Sequence, residues 1–175
     1  MLVSLIGLPG SGKSTAGKSL GARLTLPVFD SDTVLERRLG ISIREFFELE
    51  GEAKFRELEQ RALVDLIGQS SGIVSTGGGV VLEPENRKIL HRSTRSVYLH
   101  STPAQLFKRL RRDQSRPLLQ CDDPLKKLED LYVERDPLYR EVAHLVVQTG
   151  EQSISSLVDL IVIELESLGS SSPSQ

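Results

Sequence analysis

Cysteine is almost absent from this chain: Cys121 stands alone among 175 residues. An intrachain disulfide is therefore impossible, and so are a CxxC redox pair and a zinc site built on cysteine and histidine. Cys121 lies between Gln120 and Asp122 in a polar segment, and reads as an incidental thiol rather than a nucleophile. Histidine is nearly as scarce. His91, His100 and His144 share no recognisable constellation, so each reads as a surface or internally satisfied ring instead of a catalytic base. No apolar run approaches the ~20 residues that a membrane span requires, and no membrane partner is expected. The first apolar run begins at residue 2, which leaves no room for a signal peptide and makes the cytoplasm the expected compartment. A net charge of -2 and a pI near 6.0 lack the basic excess of a dedicated nucleic-acid binder. Small-molecule ligands remain.

With 38% hydrophobic and 26% charged residues, the composition is that of an ordinary globular protein. The length suits one domain, expected over residues 1–168, and the serine-rich stretch 169–175 has the composition of a disordered tail. A monomer is the expected state.

The most informative segment is Gly7-Leu8-Pro9-Gly10-Ser11-Gly12-Lys13-Ser14, a complete GxxxxGK[ST] phosphate-binding loop. Glycines allow successive backbone N–H groups to turn toward phosphate oxygens, and the helix that follows adds the positive end of its dipole. Lys13 is expected to reach the β and γ phosphates, and the Ser14 hydroxyl to sit on Mg²⁺. Context supports the motif, because residues 2–6 read as a buried strand and residues 13–24 as a helix.

Further apolar runs at 27–29, 72–75, 95–99 and 144–148 alternate with helical patterns, which predicts an α/β fold with a five-stranded parallel sheet between two helical layers. The interval 31–70 is too long for one crossover helix and predicts a helical insertion on the substrate side. The arginine-rich segment 109–124 reads as a lid. Ligands of such sheets bind beyond the carboxyl ends of the strands, so Gly7–Ser14, Asp30 with Asp32, Thr76–Gly79 and His100 with Ser101 should border the site.

Three of these sets carry distinctive chemistry. Phosphoryl transfer to an alcohol needs a carboxylate at the acceptor hydroxyl and another near Mg²⁺, and Asp30 and Asp32 can divide those tasks if they sit on an extended segment. The bland alternative is that Ser31 or Asp32 caps a helix starting near Thr33. Gly77, Gly78 and Gly79 imply a backbone that approaches something closely or adopts positive φ. Since Ser75 and Thr76 stand where many phosphate-loop enzymes place an aspartate, metal support falls to Asp30 and Ser14. Arg56 reads either as a site residue or as a solvated residue between Glu52 and Glu59. Arg135 precedes Asp136-Pro137, where a helix should end. Arg116, beside Arg109, Arg111 and Arg112, stands where a lid would neutralise developing phosphoryl charge.

Together these segments resemble the shikimate kinase family: GLPGSGKST, FDSD, GEAKFRELE, STGGG, SRPLL and ERDPLYREVA stand in its order and spacing from residue 2 to about 165. The resemblance implies a phosphate-loop kinase fold and transfer of the ATP γ-phosphate to the 3-hydroxyl of shikimate, with Mg²⁺. It implies that Gly10, Ser11, Gly12, Lys13, Ser14 and Thr15 bind ATP together with Arg109 and Arg116, the former stacking on adenine. Lys13, Asp32 and Arg116 would be catalytic, Asp32 as the base. Ser14 and Asp30 would serve the metal, while Arg56 and Arg135 would grip the shikimate carboxylate beside Gly77, Gly78 and Gly79. A gluconate kinase or a kinase-like protein without catalysis are the competing expectations. The GGG and ERDPLY segments weigh against the first, and the intact set of lysine, aspartate and arginines against the second.

Overall fold

The computed structural model describes residues 1–111, 121–150 and 152–170. Five strands, β1 (Leu2–Ile6), β2 (Val28–Asp30), β3 (Gly72–Ser75), β4 (Arg95–His100) and β5 (Leu145–Gln148), form one parallel sheet in the order β2-β3-β1-β4-β5. Among the described residues eight α-helices accompany them: α1 (Lys13–Leu24), α2 (Ser31–Leu39), α3 (Ile43–Glu50), α4 (Glu52–Ile67), α5 (Pro84–Ser93), α6 (Pro103–Leu110), α7 (Pro124–Val142) and α8 (Ile154–Ser170).

Every residue of β1 is buried, as a central strand covered on both faces must be. Val3 and Leu5 pack with Leu20 of α1 and Ile161 of α8 on one side, whereas Ile6 packs with Leu90 of α5 and Leu128 and Tyr139 of α7 on the other. From β1 the chain crosses to β2 on one side, and from β3 it crosses back over β1 to β4. With a single handedness of crossover, these opposite directions put α1 and α5 on opposite faces. The crevice therefore opens between the carboxyl ends of β1 and β3, which carry the phosphate loop and the glycine run.

The interval 31–70 folds into α2, α3 and α4, held by their own small core of Leu35, Phe46, Phe55 and Ala62. Other expectations are corrected. Helix α2 begins at Ser31 and its cap is Asp30, whose carboxylate accepts from the Asp32 and Thr33 N–H groups at 3.1 Å each. Asp32 is thus helical, not part of an extended segment. Helix α7 continues through Pro137 instead of ending before it. The carbonyl that Pro137 deprives of a partner is that of Val133, a residue 75% exposed, so water can replace the lost bond. Of the segment expected to form a lid, Arg109 and Leu110 belong to α6 and Pro124 opens α7; residues 112–120 lie outside the described residues. Gly169 and Ser170 belong to α8, and the remainder of the expected tail lies outside the described residues. Among the described residues, no helix is long and apolar enough to cross a membrane.

Gly21 lets α1 settle onto β2: a Cβ there would stand 2.2 Å from Val28 Cγ2 and 3.0 Å from the Leu26 carbonyl oxygen. Gly→Ala in an unobstructed helix gains about 1 kcal/mol. Here Gly21→Ala is expected to lose about 1–3 kcal/mol through overpacking against a stiff β-branched neighbour, measured by urea denaturation.

Candidate active site

The phosphate loop owes its curl to Gly10 and Gly12, at φ 83° and 93°, a region that side chains with a Cβ rarely enter. Gly10 is also pressed on Leu110 of α6, which a Cβ would approach to 2.9 Å. The Lys13 ammonium, almost wholly buried, donates to the Gly7 and Leu8 carbonyls at 2.8 and 3.0 Å. One residue on, the Ser14 hydroxyl donates to Asp30 Oδ2 at 2.7 Å. A cavity of about 350 Å³ is lined by Gly12, Lys13, Ser14, Thr15, Asp30 and Asp32, among others, while Ser11 is buried behind it.

Asp30 faces this cavity with one oxygen and caps α2 with the other, so the bland capping role and a site role coexist in one carboxylate. Asp32 lines this cavity too, and also the larger one beside it. Burial pushes its carboxyl above the ordinary carboxylate range and Asp30 pushes in the same direction, while Lys13 and Arg56 oppose them. A carboxylate with raised proton affinity, flanked by cations, is suited to accept a proton.

The three glycines act by close approach, since none of them has positive φ. A Cβ on Gly77 would stand 2.8 Å from Asp32 Oδ1 and 3.0 Å from Glu59 Oε1; on Gly78, 2.9 Å from Pro9 Cδ; on Gly79, 2.3 Å from Arg56 Nη1. Each glycine therefore makes room for a different polar or loop group.

Arg56 is not the solvated residue of the alternative reading. Its side chain is 13% exposed, and Nη1 meets Glu59 Oε2 at 2.7 Å while Nη2 meets Glu52 Oε1 at 3.1 Å. Its carbon centre also lies 5.9 Å and 5.3 Å from the ring centroids of Phe47 and Phe55. Burial works against this cation, but Glu59 and then Glu52 outweigh it and raise its pKa. Glu59 is buried too, and desolvation, with Asp32 adding to it, lifts its carboxyl above the usual range despite the opposing Arg56. Arg135, on α7, is likewise 13% exposed; its Nε is buried and without a hydrogen-bond partner among the described residues, 3.6 Å from Glu134. Its charge bears on Glu59 and on the hydroxyl of Tyr139, which itself donates to the Gly78 carbonyl at 2.6 Å.

A second cavity, of about 1090 Å³, is bounded by Asp32, Phe47, Phe55, Arg56, Glu59 and the glycine run. It meets the phosphate-loop cavity at Pro9, Asp32 and Gly78, which line both. Lys13, Ser14, Thr15, Asp30, Asp32, Arg56 and Gly77–Gly79 thus border one continuous space. Arg109 stands apart at the loop after β5, its guanidinium donating to the Thr149 and Gly150 carbonyls. Arg116 lies outside the described residues. His100 is internally satisfied by Gln148 and the Tyr132 hydroxyl. His91 and His144 stack with each other, Nδ1 of His144 accepting from the Ser96 N–H near the start of β4.

Glu59, Ser31, Phe47 and Tyr139 were not legible as site residues. Only Glu59 left a signal, its i+3 spacing from Arg56, which places the two on one helical face.

The shikimate kinase family model matches residues 9–166. A shikimate kinase of Burkholderia pseudomallei (strain 1710b) is 48% identical over 167 residues, covering 95% of this chain and 91% of that protein. The solved shikimate kinase of Acinetobacter baumannii in complex with shikimate has a TM-score of 0.89 at 38% identity, covering 94% of this chain and 92% of that one. A gluconokinase from Sinorhizobium meliloti 1021 shares the fold alone, at 17% identity and a TM-score of 0.62 over 95% of this chain and 92% of that one.

The raised pKa of Asp32 means that the folded protein binds this proton more tightly than the unfolded chain does. Its ionised form therefore costs stability, a cost complete only above the raised folded value and relieved as pH falls through it toward the unfolded 3.8. Asp32→Asn is expected to be more stable than the native chain by about 1 kcal/mol at pH 7.5, with the advantage shrinking at acidic pH, as read by thermal melting across pH.

Proposed function

The chain belongs to the shikimate kinase family, and on that premise we propose how its residues divide the work of moving the ATP γ-phosphate onto the 3-hydroxyl of shikimate, a step in aromatic amino-acid biosynthesis. The observation that carries the assignment is the meeting of the two cavities at Asp32. On one side stands an anion cradle with a buried lysine, on the other a desolvated guanidinium beside apolar rings.

ATP places its phosphates in the curl of Gly10, Ser11, Gly12, Lys13, Ser14 and Thr15. Lys13 leaves the Gly7 and Leu8 carbonyls to follow the γ-phosphoryl, where charge grows in the transition state. Ser14 and Asp30 are adjacent hard oxygen donors, and among the described residues no cluster of three metal-ligating side chains exists. That sparse set fits Mg²⁺, which takes one or two protein oxygens and completes its shell with phosphates and water. When bound, the ion neutralises phosphate charge.

Asp32 accepts the proton of the acceptor hydroxyl. The acceptor's carboxylate is gripped by Arg56 and Arg135, whose planar forks match it, and the orphaned Nε of Arg135 is a donor that such an anion satisfies. Gly77, Gly78 and Gly79 border the ring. The guanidiniums select an acidic polyol over a neutral one, because a neutral sugar offers neither of them a carboxylate to receive its donors. Arg109, held flat against the loop after β5, offers a face for adenine, and Arg116 supplies the lid charge. One catalytic unit over residues 1–168, a monomeric state and a cytoplasmic location complete the proposal.

A coupled assay of ADP release tests the assignment directly: release should require shikimate, and gluconate at the same concentration should not replace it. Lys13→Ala is expected to lower kcat by about 10³-fold, as loss of a transition-state charge contact does; near-native turnover would count against its role. Arg135→Ala should raise the shikimate KM about 10- to 100-fold and leave the ATP KM within about twofold.

A further inference from the structure

Ser31 stands between the two functional aspartates, at the first position of α2, yet its side chain turns inward and is 3% exposed. Its Oγ accepts the Gly77 N–H at 3.0 Å. From the other side of the same run, Tyr139 of α7, fully buried, donates its hydroxyl to the Gly78 carbonyl at 2.6 Å. We propose that Ser31 and Tyr139 are positioning residues, two hydroxyls that clamp consecutive glycines and so hold Asp32 on α2 and Arg135 on α7 in one frame around the acceptor.

The proposal rests on the functional reading above. Each hydroxyl comes from an element that carries one functional group: Ser31 precedes Asp32, and Tyr139 follows Arg135 by one helical turn. The turn of α7 between them is fixed in addition by the Tyr98 hydroxyl, which donates to Asp136 at 2.9 Å, and by the Tyr98 and Tyr139 rings at 4.9 Å. The glycine run has little freedom to shift without consequence. Gly77 lies against Asp32 and Glu59, and Gly79 against Arg56, at distances where even a Cβ has no room. A movement of a few tenths of an ångström is therefore passed to the base, to the Arg56 pair and, through Tyr139, to α7. The two bonds are complementary: serine satisfies the N–H of a buried peptide and tyrosine the carbonyl of the next residue.

A purely structural role would lower stability and leave the acceptor alone, so the test separates the two Michaelis constants. In the full chain, Ser31→Ala and Tyr139→Phe are each expected to raise the shikimate KM about five- to twentyfold while the ATP KM stays within about twofold, from the loss of one buried hydrogen bond. Ser31→Thr, which keeps the hydroxyl, should recover most of the affinity. The double variant should cost less than the product of the single effects, because both bonds hold one run. Should one variant fail to fold, the other decides alone by the same split. Shikimate KM values within twofold of native, or equal losses for both substrates, overturn the clamp while leaving the functional reading intact. No shikimate-dependent ADP release from the native chain overturns both.

Discussion

The site depends on a desolvated ionic cluster gathered around a backbone that has no side chains. Arg56, Glu59 and Asp32 are drawn out of water together, and they pack at distances that Gly77, Gly78 and Gly79 alone permit. Burying two carboxylates beside one another is unfavourable, and the raised proton affinity of both records that cost. Arg56 and Lys13 keep the arrangement tolerable. An incoming acid would find cations already stripped of solvent, so their attraction is not spent on dehydration at the moment of binding.

The same cluster joins the phosphate loop to the larger cavity. Asp32 feels Lys13 from the loop and Arg56 from α4. Pro9, a loop residue, abuts Gly78. Occupancy of either cavity must therefore alter the field and the packing at the boundary. The sheet makes this possible, because its crossovers reverse direction between β1 and β3 and leave their carboxyl ends side by side.

Much of this was readable from the chain. The phosphate loop and the five strands announced themselves by spacing, since glycine, lysine and β-branched runs have few other uses in that order. What escaped was set by tertiary contact. Pro137 signals a break in any local reading, but α7 passes through it because the freed carbonyl belongs to an exposed residue. Asp30 and Asp32 looked like neighbours on an extended stretch, but the cap made by Asp30 starts a helix that carries Asp32 within its first turn. Glu59 resembled an ordinary surface partner of Arg56, and only the packing of α4 beneath the glycine run buries it. Ser31 and Tyr139 stand inside recognisable segments, but their partners were not legible, for a hydroxyl's role depends on which peptide it meets.

The central place of β1 has a bearing on how the protein is made. This strand leaves the ribosome before the rest of the sheet, with its phosphate loop directly behind it, yet its partners are β3 and β4, which begin at residues 72 and 95. For most of synthesis the loop has no rigid edge to hang from, and entropy opposes pairing across so long a separation. Nucleotide affinity must then arise late, once β4 has emerged. A nascent chain of this fold is blind to ATP until its middle strands arrive, which makes ligand capture a signal that the centre of the sheet has formed.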